Sequence, residues 1–228
     1  MKIGIIVAMG KELRLLLHLI KNRKTIVVDG YEFHCGEIGG HQISAMQCGI
    51  GKVNAAIGTY ALIQNFHPEI VINTGVAGGA DFSVRQMDIV VCERISYHDV
   101  WCGPGTSYGE AAGCPLFFQS DNVAVSKIRA SVKDGNVKFG LICSGDKFIS
   151  RKEEIDEIKS HFSDAIAVDM ESASIAQVCN VKKVPVLVAR VISDTPGTET
   201  DNAKQYDDFW ESAPEHTFKF LTEVLNLI

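Results

Sequence analysis

Five places in this sequence set a polar or glycine-rich group directly after an apolar run, and each is a place where chemistry can sit. They are Glu12; Gly75-Val76-Ala77-Gly78-Gly79; Ser144-Gly145-Asp146 with Phe148-Ile149; Asp169-Met170-Glu171; and Arg190 through Ser193-Asp194. Open α/β sheets bind ligands at the carboxyl ends of their strands, so these exits outrank polar residues elsewhere. Carboxyl groups there can divide the work of moving protons when their surroundings hold them at different pKa values. The same residues have plainer uses. An acid in the first turn of a helix, as Glu12 or Glu171 would be, stabilises the helix dipole by roughly a few tenths of a kcal/mol. Ser193-Asp194 also suits a helix cap or a turn. Arg190 is harder to dismiss, because it lies inside the apolar run 186–192 and a buried cation needs an acidic partner.

Other motifs fall away on inspection. Gly49-Ile50-Gly51-Lys52 has the look of a phosphate loop, but Met46 stands where its first glycine belongs and Val53 where its Ser or Thr belongs. The stretch 75–79, read here as a turn, lacks the spacing of a dinucleotide fingerprint, so no nicotinamide or flavin cofactor is expected. Its glycines would let a ligand approach the backbone closely. His98-Asp99 has no accompanying Ser or Cys elbow and reads as structural. The seven cysteines are odd in number and scattered, and neither they nor the histidines show zinc-site spacing, so no metal is expected either.

The elements that must position these residues follow from periodicity. The apolar run 3–8 reads as a strand buried on both faces, leading through Gly10-Lys11-Glu12 into a helix with Leu13, Leu16, Leu17 and Ile20 on one side. Short strands at 25–28, 31–35 and 42–48, punctuated by Asp29-Gly30 and Gly39-Gly40, suggest hairpins. Beyond them the pattern alternates: a helix opened by 49–51, strands at 70–73 and 88–92, and a helix near 123–133. A strand at 137–143, a helix at 151–161, a strand at 165–168, a helix from about Glu171 and a strand at 184–192 complete the alternation. A single long helix from about Asp207 to Leu227 would carry Phe209, Ala213, His216, Phe220, Val224 and Ile228 along one stripe. The Gly-, Pro-, Ser- and Thr-rich stretch 101–115 reads as either a functional lid or a partner-contacting loop. This predicts one α/β domain spanning residues 1–228, with a mixed, largely parallel central sheet flanked by helices.

Composition narrows the partners. With 22 basic against 28 acidic residues and a formal charge of −6, neither nucleic acid nor an anionic membrane is the expected partner. No apolar run approaches the roughly 20 residues of a bilayer span, and no secretory signal is evident, so a cytoplasmic location with reduced cysteines is expected.

The chain resembles the 5′-methylthioadenosine/S-adenosylhomocysteine nucleosidases of the purine nucleoside phosphorylase superfamily over nearly its whole length. The resemblance rests on Met1 to Ile6 with Ala8-Met9 and Glu12, Gly49 to Val53, Ile72 to Gly75 with Ala77-Gly78-Gly79, and Tyr97-His98-Asp99. Gly113-Cys114-Pro115, Ser144-Gly145-Asp146 with Phe148-Ile149, Ala167-Val168 with Met170-Glu171, and Arg190 with Ile192-Ser193-Asp194 continue it in order. It implies a nucleoside phosphorylase-like fold and hydrolysis of an adenine nucleoside's N-glycosidic bond. It also implies roles: Asp194 as the acid protonating N7 of adenine, Glu12 as the base taking a proton from water, and Glu171 as acceptor for the ribose hydroxyls. Arg190 would orient water and carboxylates. Ser193 and the backbones at Gly78, Ile149 and Met170 would hold sugar and base, Phe148 would stack on adenine, and Ile50 and Tyr206 would line the 5′ pocket. A homodimer is implied as well, with the loop around 100–102 closing the neighbour's site. The chain departs from the commoner pattern at Gly10, at Val76 in place of a serine, at Asp169 in place of Glu, and in the loop 101–112. Three alternatives stay open: a phosphorylase on the same fold, a nucleosidase for a futalosine-type substrate, and a non-catalytic nucleoside-binding protein.

Overall fold

The computed structural model describes residues 1–133, 135–196, 202–212 and 214–228. Strand β1 (Lys2–Val7) runs into helix α1 (Gly10–Leu17), and β2 (Lys21–Val28), β3 (Tyr31–Ile38) and β4 (His41–Gln47) follow as a meander. Helix α2 (Lys52–Phe66), β5 (Ile70–Gly79) and β6 (Ile89–Tyr97) lead to the long loop, the two-residue β7 (Phe118–Gln119) and α3 (Asn122–Ser131). Then come β8 (Val137–Ser144), α4 (Lys152–His161), β9 (Ala165–Asp169), α5 (Ser172–Lys182) and β10 (Val186–Asp194), with α6 (Asn202–Ser212) and α7 (Pro214–Leu227) at the end.

All ten strands belong to one sheet. Pairing is parallel from β4 through β1 and β5 to β10, and again from β6 through β8 to β9. It is antiparallel within the β2–β4 meander and where β10 meets β6 and β5 meets β9. Strands β5, β10, β6, β8 and β9 therefore close into a ring, since β5 bonds both β10 and β9. Residues 3–7 of β1 and the whole of β10 are buried, which explains why these residues of β1 and, apart from Arg190, residues 186–192 of β10 are apolar: strands covered on two faces leave no position for a solvated side chain. Apolar clusters fill both sides, one around Leu62, Ile142 and Ile175, another around Ile5, Leu187, Phe209 and Leu225.

Three expectations need correction. The stretch 75–79 is not a turn: β5 stays extended through Gly79 because β10 pairs it as far as Gly78 and β9 takes Gly78 and Gly79 on the other side. Strand β10 continues to Asp194, so Ser193-Asp194 sits within the strand rather than capping a helix after it. The C-terminal helical stretch begins at Asn202 rather than about Asp207 and is described over Asn202–Ser212 and Pro214–Leu227, with 213 outside the described residues. Of its predicted stripe, Phe209, Phe220 and Val224 are buried, while Ala213 and the His216 side chain lie outside the described residues. Strand β6 also outruns its expected end at Cys92, continuing to Tyr97 past a bulge at Glu93.

Candidate active site

Where β1 ends, α1 begins, and Glu12 falls in its first turn with 1% of its surface exposed. Its Oε2 accepts the N–H groups of Ala8 (3.0 Å) and Met9 (2.9 Å), which satisfies the start of the helix. Its Oε1 reaches across to β5 and accepts the N–H of Val76 at 3.1 Å. The helix-start use and a site use thus coexist in one side chain. Burial pushes the Glu12 carboxyl above its ordinary value, opposed by the charge of Arg190 and the three backbone N–H groups. Gly75 makes this possible: its φ is +147°, and a Cβ there would lie 2.3 Å from Glu12 Oε1 and 2.7 Å from Arg190 Nη1.

Arg190, 1% exposed on β10, finds the acidic partner its burial requires in Asp169 at the end of β9. Nε donates to Asp169 Oδ2 at 2.9 Å, and Nη2 donates to Asn73 Oδ1 at 2.7 Å and Ser172 Oγ at 3.1 Å. Asn73 is held in turn by its Nδ2 donating to the Ile6 carbonyl, 3.0 Å away. Ser172 also donates its hydroxyl to Asp169. Glu171 Oε2 stands 3.9 Å from Nη2, while Oε1 accepts the N–H of Gly51 at 2.9 Å. Burial, then the neighbouring Asp169 carboxylate, raises Glu171 above the usual carboxylate range. Asp169 is therefore turned toward the arginine, and Arg190 lies behind the cavity rather than on its wall.

The register of β10 against β5 slips between Ile192 and Asp194, a bulge at Ser193 that re-aims the end of the strand. Ser193 Oγ donates to Asp194 Oδ1 at 2.5 Å and lies 3.3 Å from the Ala77 carbonyl. Asp194 Oδ2 is buried with no hydrogen-bond partner within normal geometry, and the carboxyl is raised to about 6 by burial, against the lowering effects of the Ser193 hydroxyl and the nearby Asn202 side chain. A carboxyl so placed holds its proton up to about pH 6, well above an ordinary aspartate, and has an oxygen free to donate it from.

Glu12, Asp194, Glu171, Gly78, Ile149, Met170 and Ser193 border one cavity, with Ile50, Phe148 and Tyr206 at its rim. Ile50 and Phe148 are half exposed, and Phe148 meets Tyr206 edge to face at 5.8 Å. The sequence reading missed Asn73, Ser172 and the Val76 N–H. Asn73 carried a usable signal, since an amide closing the apolar run 70–73 is as conspicuous as Arg190 in its own run. Among the described residues no group of three or more His, Cys, Asp or Glu side chains is placed to hold a metal ion, and all seven cysteines are free.

A family model described as the phosphorylase superfamily matches residues 2–226. A solved 5′-methylthioadenosine/S-adenosylhomocysteine nucleosidase from Streptococcus pneumoniae, bound to a transition-state inhibitor, is 37% identical, with a TM-score of 0.95 over 100% of this chain and 99% of that one. An S-adenosylhomocysteine nucleosidase from Streptococcus pyogenes, in complex with 5-methylthiotubericidin, is 35% identical over 99% of this chain and 96% of its own, with a TM-score of 0.94. A 5′-methylthioadenosine/S-adenosylhomocysteine nucleosidase from Colwellia psychrerythraea, in complex with adenine, is 35% identical with a TM-score of 0.92, over 100% of this chain and 96% of that one. Likeness of this extent, on a fold that gathers Glu12, Glu171 and Asp194 around one cavity, means that the chain belongs to the phosphorylase superfamily and, within it, to the 5′-methylthioadenosine/S-adenosylhomocysteine nucleosidases.

Proposed function

We propose that the protein hydrolyses the N-glycosidic bond of 5′-methylthioadenosine and S-adenosylhomocysteine, releasing adenine and the 5′-thio-substituted ribose. The observation that carries this reading is Asp194 Oδ2, buried and without a protein partner on a carboxyl raised to about 6. Protonated, it donates to N7 and makes adenine a better leaving group. Glu12, held by three backbone N–H groups, takes the proton from the attacking water as the sugar develops oxocarbenium character. Glu171 accepts the ribose hydroxyls and its charge favours the cationic sugar. Phe148 offers adenine an aromatic face, and Ile50 and Tyr206 give the 5′ substituent an apolar surround.

Water rather than phosphate is the nucleophile, on electrostatic grounds. Among the described residues no arginine borders the cavity, its one lysine, Lys147, is paired with Glu154 at 2.9 Å, and Arg190 is committed to Asp169 and Asn73. A phosphate dianion would meet buried carboxyls without a cation to hold it. Incubation with 5′-methylthioadenosine in phosphate-free buffer should release adenine and free sugar at a rate that added phosphate does not change. A sugar 1-phosphate product formed only with phosphate would move the protein to the phosphorylases.

The reading extends to a homodimer acting in the cytoplasm. No helix among the described residues is long and apolar enough to cross a membrane. Trp101, 61% exposed on the loop beyond β6, suits an anchor in a partner's surface, where the loop around 100–102 would close the neighbouring 5′ pocket. Sedimentation should show a dimer; a fully active monomer would exclude this arrangement.

A further inference from the structure

We infer that Asp99 is a positioning residue for the reaction, acting through Asp146 and the Gly51 amide to hold Glu171 in place. The inference rests on the nucleosidase reading given above. It also gives a use to Asp99, which plays no part in the proton transfers.

Three short contacts close a ring between segments far apart in sequence. Asp99 Oδ2 accepts from Lys52 Nζ at 2.8 Å and from the Asp146 N–H at 2.8 Å, and Asp146 Oδ1 accepts the Lys52 N–H at 2.7 Å. Lys52 is steadied from a second side, its Nζ lying 5.6 Å from the centre of the Tyr97 ring. The ring locks the entry to α2. Gly51 takes a φ of +93°, and Asp146 Oδ1 lies 2.9 Å from where its Cβ would stand, so the carboxylate occupies the space that only a glycine leaves. In that conformation the Gly51 N–H donates to Glu171 Oε1 at 2.9 Å, fixing one oxygen of the carboxylate that meets the ribose. Asp99 is itself anchored, because Tyr108 Oη donates to the carbonyl of the preceding residue, His98, at 2.9 Å.

Stability is a poor explanation for this ring. Lys52 and Asp99 each expose about a quarter of their side chains (26% and 27%), and ion pairs open to water in this way contribute little to stability. Nor does the ring serve a His–Asp dyad: the Asp99 carboxylate is turned to Lys52 and Asp146, and His98 Nε2 is buried without a partner. What the ring does determine is the direction of one N–H aimed at Glu171. Small misplacements of a group acting on the transition state cost up to about a hundredfold in rate.

The test uses the full chain as Asp99→Ala, Asp99→Asn, Glu171→Gln and the Asp99→Ala/Glu171→Gln double variant. It reads kcat/KM for 5′-methylthioadenosine in phosphate-free buffer and amide hydrogen exchange at 49–52. Asp99→Ala should lower kcat/KM about 10- to 100-fold and speed exchange of the Gly51 and Lys52 amides, leaving β1 and β5 unchanged. Asp99→Asn keeps an oxygen for both donors and should stay within about threefold of the parent. In the Glu171→Gln background the alanine change should cost under about threefold, since the group it positions is already altered. Full additivity, an asparagine variant as impaired as the alanine one, or unaltered exchange at 49–52 would each overturn the inference. If the parent protein releases no adenine, the functional reading fails, and the exchange measurement still decides whether Asp99 holds the Gly51 amide.

Discussion

Asp194→Asn is expected to lower turnover at least about a hundredfold while the substrate still binds, the usual worth of a positioned acid. The size and the Ser193 contact at Oδ1 are kept, so only the proton on Oδ2 is lost. Glu12→Gln should reduce turnover comparably by leaving the water unactivated. The two variants part company on a nucleoside whose leaving group needs no protonation: it should restore the Asp194 variant and not the Glu12 variant. Rescue of both, or of neither, would remove the acid and base assignments even if adenine release is confirmed. The pH profile carries the same signature. An acid raised to about 6 is active while protonated, so kcat/KM should fall as pH rises through that value in the parent and lack that limb in Asp194→Asn.

The same carboxyl makes a stability prediction of opposite sign to its catalytic one. Its folded pKa is raised from 3.8 to about 6, so the folded state binds the proton more tightly than the unfolded chain. Ionised Asp194 therefore destabilises the fold above pH 6, and the penalty fades as pH falls through 6 toward 3.8. Asp194→Asn should melt higher than the parent at pH 8, with the difference shrinking by pH 4. An inactive variant more stable than the active enzyme would mark a site held at the expense of the fold.

Arg190→Met should be the most destabilising single change proposed, at about 3–5 kcal/mol, because it leaves buried carboxyls without their cation. Asp169, Glu171 and Glu12 all lie within its field, and for Glu12 and Glu171 Arg190 opposes the upward push of burial. Without it their folded pKa values rise further, so the loss is fully expressed above those values and diminishes as acid returns protons to the carboxyls. Denaturant midpoints at pH 8 and pH 5 test this. Adding Asp169→Asn should recover a substantial part of the loss at pH 8 by removing the stranded partner. No recovery would mean that the arginine acts through packing rather than charge.

Much of the site was legible because a charge or amide inside an apolar run has few other uses. Arg190 is the clearest case, and Glu12 and Glu171 followed from strand exits. The aromatic rim was less legible: Phe148 is half exposed, and nothing in its local sequence separates it from a surface ring. Strand ends were misplaced wherever tertiary pairing overrode local chemistry. Glu93 and Arg94 look like the end of β6, yet the strand continues, because past the bulge at Glu93 residues 94–97 pair with 141–144 of β8. The glycines of β5 read as a turn since their use, room for Glu12 and Arg190 beside Gly75, lies in side chains remote in sequence. The opening residues of β2, Lys21 to Lys24, are polar because the strand is exposed, which hid its true start from a hydrophobic pattern.

The ring formed by β5, β10, β6, β8 and β9 bears on self-association. Strands that close on one another leave few unpaired backbone groups to template aggregation, and in this sheet the long unpaired edge falls on β2, at the far end from the ring. That edge carries Lys21, Arg23 and Lys24, together with a kink where Lys21 and Lys24 slip in register against β3. Like charges and an irregular backbone discourage a second β2 from adding to it. The carboxyls proposed to act in the reaction lie at or just past the ends of β1, β9 and β10, none of them next to β2, so the strand most open to intermolecular pairing lies apart from the site.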